Sequence, residues 1–270
     1  MPAEPRVRLY HFGQERPRQP DRSAAQREEP PRGLLGEDRA AVLLDELDET
    51  VGCIQPELHV PDARRTYVRL QTRVYKNAVR CSCRIPVAPL HVERRATSER
   101  DSEVLEGEPI EVLEQRDGWA RVRTEYGHEG WIADDAVGDE APPAPWRLEA
   151  SGRPPVDEAR AYLGARYLWG GMTEHGIDCS GLVHMAYRRS GRVVPRDADE
   201  QELAGEQVRS GEEVPGDLVT YGENGADLAT HIAFWLGEGR ILNARSSAGL
   251  VLEEPEPGDL VAVRRRFVRL

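Results

Sequence analysis

Lysine is almost absent from the 270-residue sequence: Lys76 is the only one, and nearly all positive charge is arginine. That bias reflects genome composition or adaptation to salt and carries no functional signal. Cysteine is also sparse, with four residues, which excludes a disulfide-built scaffold. The 36 basic residues are outnumbered by 48 acidic ones, for a net charge of -12. A uniform basic face for nucleic acid is therefore not expected, and the acidity reads first as a source of solubility. No stretch approaches the roughly 18 uninterrupted apolar residues of a membrane-spanning helix, so no membrane partner is expected. The N-terminal residues hold no continuous apolar core of about 7–15 residues, as a secretory signal would. The expected compartment is the cytoplasm, with export by another route left open. Neither a GxxxxGK[ST] run nor a GxGxxG after a strand is found. Cys81 and Cys83 form a CxC pair without a second pair, and Cys53 is isolated, so neither a metal nor an organic cofactor is expected.

What is present changes character along the chain. Residues 1–37 are rich in Pro, Arg, Glu and Gln and cannot bury enough apolar surface to offset their ordering entropy. A disordered or extended segment is expected there. Within 38–80, EDRAAVLLDELDE predicts a short helix and TYVRLQTRVY a strand. Over 81–137, short alternating runs (RIPVAPLHVE, EPIEVLEQ, WARVRTE, GWIADD) are separated by turn signals at Glu106-Gly107, Asp117-Gly118 and Tyr126-Gly127. That grammar predicts a small all-β barrel. Residues 138–154 read as a proline-rich, extended linker. Beyond it, VDEARAYLGAR and Asp178–Ser190 read as helices, the second stopped by Gly191. GDLVTYG, THIAFWLG, RILNAR and LVAVRRRFVRL read as strands. Residues 155–270 thus predict an α+β domain with an antiparallel sheet.

Chemistry concentrates in YLWGGMTEHGIDCSGLVHMAYRRSG. Cys179 stands where a loop turns into a helix, so the backbone dipoles at the helix N-terminus should lower its pKa and favour the thiolate. Taken alone, a cysteine in that position is more often a small buried residue. A nucleophilic thiol needs a base, usually His, and a third polar group to orient the ring. His231 opens the strand THIAFWLG, and the next strand, RILNAR, carries Asn243. A hairpin through Gly237-Glu238-Gly239 would bring Asn243 beside His231. His184 falls five residues into the Cys179 helix and should face away from the thiol. His175 reads as a loop residue.

Six elements in order, YLWGG, DCSGLV, VPRDADEQ, PGDLVTY, HIAFWLG and RILNA, resemble the NlpC-type cysteine peptidases of bacterial cell-wall metabolism, over about residues 155–265. LEGEPIEVLEQRDGWARVRTEYGHEGWI resembles a bacterial SH3-like barrel. The combination is similar to the γ-D-glutamyl-L-diamino acid endopeptidase subgroup, which cleaves free murein peptides. The resemblance implies a papain-like α+β fold with Cys179 as nucleophile and His231 as general base and acid. Asn243 takes a third position that is more often His in that family. Tyr167 is implied beside the oxyanion, Trp169 as a pocket wall, and Ser180 and Asp197 as substrate contacts. Ala198 stands where Ser commonly follows that Asp. Glu99 and His128 of the barrel match a Glu and a Tyr that close off the site around the peptide's N-terminal amine. A murein peptide is the implied partner, and the oligomeric state stays open. So do two other functions: a non-catalytic peptidoglycan-binding protein, and a Cys–His amidase or acyltransferase on another substrate.

Overall fold

The computed structural model describes residues 79–140, 149–222 and 227–270. The expectations for 1–37, for a helix over 38–50 and for a strand at 66–75 lie outside these residues.

The first part is all β. Seven strands, β1 (Val79–Cys83), β2 (Val87–His91), β3 (Arg100–Leu105), β4 (Pro109–Arg116), β5 (Trp119–Thr124), β6 (Glu129–Ala133) and β7 (Val137–Glu140), form one sheet in the order β3-β2-β6-β5-β4-β1-β7. Strict alternation in β5 buries Ala120, Val122 and Thr124, and the first two join Leu90, Val104, Ile110 and Ile132 in the interior. The β4–β5 turn is Asp117-Gly118, with φ of 52° and 77°, the positive pair that a tight two-residue hairpin demands. Two features depart from the sequence reading. β7 occupies residues assigned to the start of the linker, because Val137 pairs with Cys83 and extends the sheet beyond β1. β3 escaped notice because its sequence, RDSEVL, looks like solvated surface. Ser102 and Glu103 are nevertheless buried, since that strand meets the second part of the structure.

The second part is α+β. A short helix α1 (Pro155–Ala159) runs into a 3-10 turn at Arg160–Tyr162, so VDEARAYLGAR is two pieces rather than one helix. A two-stranded ribbon, β8 (Met172–Thr173) and β9 (Gly176–Ile177), precedes α2 (Cys179–Arg189), followed by α3 (Ala198–Ala204). Then β10 (Glu206–Val208), β11 (Leu218–Tyr221), β12 (His231–Gly237), β13 (Arg240–Arg245), β14 (Leu250–Pro255), α4 (Gly258–Ala262) and β15 (Arg264–Arg269) complete it. The six longer-range strands order as β10-β15-β11-β12-β13-β14, with every neighbouring pair antiparallel. One face, through Leu218, Ile232, Phe234 and Leu242, packs with Leu182, Val183 and Ala186 of α2. The other buries Val219, Ala233, Trp235, Ile241 and Phe267. The sheet is therefore covered on both faces, and α2 is clamped to it as a rigid element.

Candidate active site

Cys179 is the first residue of α2. Asp178 caps that helix: its Oδ1 accepts from the Gly181 N–H at 2.6 Å, and its Oδ2 accepts from the Gly170 N–H at 2.7 Å. A carboxylate here satisfies N–H groups that have no intrahelical partner. Gly181 is required by close approach, since a β-carbon on it would come within 2.4 Å of the Gly171 carbonyl oxygen. Gly170 carries a φ of 70° and would meet the Arg100 carbonyl oxygen of β3 at 2.8 Å. The glycine pair in YLWGG thus lets one loop approach both the nucleophile helix and the barrel.

The hairpin through Gly237-Glu238-Gly239, with φ of 84°, 51° and 67°, joins β12 to β13. It sets His231 Nε2 3.1 Å from Asn243 Oδ1. Asn243 is fully buried. The Cys179 thiol meets the backbone N–H of Ile232, the residue after His231. The structure therefore brings Cys179, the start of β12 and Asn243 to one place. Tyr167 belongs there too, its hydroxyl pushed up by burial and by the adjacent Cys179 and Asp178.

The electrostatics differ from the helix-dipole expectation. Burial, then the Asp178 carboxylate, push the Cys179 thiol up to about 12, against the lowering effects of the Ile232 N–H and Arg196. Burial is the main cause, and Asp178 adds to it by answering the positive end of the helix with a full negative charge one residue from the thiol. Burial also pushes His231 down to about 4. At neutral pH the resting groups are a thiol and a neutral imidazole whose basic nitrogen is available.

This has a measurable consequence for stability. Unfolded histidine binds its proton near pH 6.5, whereas folded His231 does so only near 4, so acid favours the unfolded chain. Stability should be full above about pH 6.5 and fall between there and about 4, by on the order of 3 kcal/mol from this residue. Buried His184, also lowered by desolvation, adds in the same direction. Urea melts at pH 7 and 4.5, comparing the chain with His231→Gln, should show the variant losing less.

A second, unforeseen feature holds the nucleophile segment. Arg196 is completely buried. It donates to Asp178 Oδ1 at 3.0 Å and Oδ2 at 2.8 Å, to Ser180 Oγ at 2.8 Å and to Ser102 Oγ of the barrel at 3.3 Å. The Ser180 hydroxyl accepts from Arg196 and donates to Asp178 Oδ1 at 3.4 Å. Glu103 Oε2 accepts the Met172 N–H at 2.8 Å, so β3 of the barrel also braces the loop after YLWGG. His184 is buried: its Nδ1 faces the Val194 carbonyl oxygen at 2.8 Å, and its ring meets Tyr126 of the barrel at 4.5 Å.

Of the two barrel residues expected to contact substrate, His128 lies beside Asp197 and Glu99 lies just before β3. His128 Nε2 lies 2.9 Å from Asp101 Oδ2, and Nδ1 lies 4.0 Å from Asp197 Oδ2. Desolvation opposes its protonation, but Asp101 and Asp197 win and raise its pKa. Burial raises Asp197 while His128 and Arg196 pull it back down. Glu99 is exposed and makes no side-chain hydrogen bond or ion pair among the described residues. Asp101, in β3, is the barrel carboxylate that meets His128, and it was not singled out from the sequence. Trp169 is 39% exposed at the turn beside Gly170, as a residue free to line a cleft would be.

A thiol at the head of a helix packed on an antiparallel sheet, with an imidazole–amide pair on the adjoining hairpin, is the layout of a papain-like cysteine peptidase domain. Sequence comparison points the same way: residues 164–258 match the NlpC/P60 family, and residues 90–137 match the bacterial dipeptidyl-peptidase Sh3 domain. The chain is 28% identical over 179 residues to the gamma-D-glutamyl-L-lysine dipeptidyl-peptidase of Bacillus subtilis, covering 64% of this chain and 58% of that protein. It is 40% identical over 94 residues to the bifunctional muramidase/DL-endopeptidase CwlT of the same organism, covering 34% of this chain and 29% of that protein. Among solved structures, an NlpC/P60 family protein from Bacillus cereus aligns at 21% identity with a TM-score of 0.43, over 72% of this chain and 64% of that one. The chain therefore spans less than two thirds of the length of each of these relatives.

Proposed function

We propose that the protein is a cysteine endopeptidase of murein peptides, cutting the γ-D-glutamyl–diamino acid bond of peptides with a free N-terminal L-Ala. The observation that carries this reading is the meeting of Cys179, at the capped start of α2, with the start of β12, where His231 is held by Asn243. With Nε2 engaged by Asn243, Nδ1 of His231 is the nitrogen left to accept the thiol proton. Sulfur then attacks the amide carbon, the oxyanion takes hydrogen bonds from the Cys179 N–H and the Tyr167 hydroxyl, and His231 protonates the leaving amine. The thioester is hydrolysed by a water that gives its proton to the same nitrogen.

Support for the free-amine requirement comes from Asp197 and Asp101, gathered around His128 at the junction of the barrel and the peptidase domain. An ammonium group is buried cheaply only against carboxylates. Removing one desolvated charge partner costs on the order of 2–5 kcal/mol, or roughly 30-fold to several thousandfold. Asp197→Ala should therefore lower kcat/KM on a free tripeptide by that range while changing its Tm little. The wild-type protein should cut the free peptide and leave its N-acetylated form intact. Equal rates on the two would remove the amine-holding role and leave the barrel as a docking module for intact wall.

A further inference from the structure

Asn243 poses a problem of orientation. Its side-chain amide has an oxygen that accepts and a nitrogen that donates, and the two ends are nearly the same size. Only the oxygen toward His231 gives a useful ring, with the proton on Nε2 and the lone pair on Nδ1. If the amide were turned over, its N–H would donate to Nε2, and the proton would move to Nδ1, where the thiol needs a base. Nothing in Asn243 itself prevents this, and the residue is fully buried, so solvent cannot arbitrate.

The neighbouring strand settles the choice. Asn243 Nδ2 donates to Glu254 Oε1 at 3.2 Å, across the β13–β14 pair. Glu254 can only accept while ionised, and it is held in place by Arg245, whose Nη1 lies 3.3 Å from Oε2. Arg245 is itself fixed by Asp259 at 3.0 Å. An inverted amide would press its carbonyl oxygen against this carboxylate. We propose that Glu254 is a positioning residue that selects the amide orientation of Asn243 and, through it, the imidazole tautomer in which His231 Nδ1 is the base. The proposal deepens the peptidase reading and rests on it.

Aspartate at position 243 supplies the test, because a carboxylate has two accepting oxygens and needs no orienting partner. Three variants of the full chain are compared: Glu254→Met, Asn243→Asp, and the double variant. Glu254→Met should lower the rate of Cys179 alkylation by iodoacetamide, and kcat/KM on the free tripeptide, by about tenfold, the low end for losing a residue that orients a ligand-bearing ring. Asn243→Asp alone should also lose activity, because it faces the Glu254 carboxylate. The double variant should recover to within about threefold of wild type, and the 15N shifts of His231 should report the Nε2–H tautomer in wild type and double variant but a mixture in Glu254→Met. A Glu254 that only stabilises the sheet predicts the opposite: losses that multiply in the double variant and an unchanged His231 tautomer. Either result overturns the proposal, and the tautomer can be read with no substrate present. If His231→Ala leaves Cys179 alkylation unchanged, the thiol–imidazole reading fails instead, and the two failures are distinct.

Discussion

Cys179→Ser should reduce hydrolysis of a murein tripeptide by about 10⁴-fold or more, while the melting curve stays close to wild type. The serine hydroxyl fills nearly the same volume at the head of α2 and keeps the Asp178 cap intact. What it cannot do is form a comparable nucleophile with a base as weak as His231, whose pKa burial lowers to about 4. Losing the nucleophile of a nucleophile–base pair removes most of the chemical acceleration and leaves only binding and oxyanion stabilisation. The same electrostatics refine what a thiol reagent should see. A buried thiol pushed up to about 12 is not spontaneously reactive, so labelling of Cys179 should depend on His231 and drop in His231→Ala. Cys83, also buried and also raised, should show no such dependence. Labelling of Cys179 that ignores His231 would detach the thiol from its base.

Arg196→Met should produce the largest loss of stability. The guanidinium is the bidentate partner of Asp178, and both groups are buried. Breaking a buried pair by removing one partner costs about 3–5 kcal/mol, because the remaining charge is stranded. In a protein of this size that corresponds to a fall in Tm of roughly 6–20 °C. The effect should spread beyond stability, since Asp178 caps the helix that presents Cys179, and Arg196 also ties Ser180 and the barrel's Ser102 to it. Arg196→Lys should not restore the wild-type Tm, because an ammonium cannot make two parallel bonds to one carboxylate. An unchanged Tm in Arg196→Met would mean that Asp178 is held well enough by the Gly170 and Gly181 N–H groups alone.

The two residues that do chemistry in this account were legible because each sits in a locally patterned run. DCSGLV marks a helix start, and HIAFWLG followed by GEGRILNA spells a hairpin whose turn residues fix where Asn243 lands. The residues that brace them were not legible. Arg196 lies in VPRDADEQ, where the resemblance points to Asp197 and not to the arginine, and its partners Asp178 and Ser102 are 18 and 94 positions away. Glu254 resembles any acidic residue near a strand end, and its role depends on a cross-strand neighbour. Asp101 was not legible either, because RDSEVL does not read as a strand and its meeting with His128 depends on β3. Likewise, the helix terminus of Cys179 suggested a low pKa, but burial depth is invisible in a linear sequence, and desolvation dominates.

The most direct measurement is mass analysis of the tripeptide L-Ala-γ-D-Glu-diamino acid after incubation with the purified protein. The account predicts release of the free diamino acid and the dipeptide L-Ala-D-Glu, with no cleavage by Cys179→Ser. An intact peptide, a cut at the Ala–Glu bond, or the same products from Cys179→Ser would contradict it.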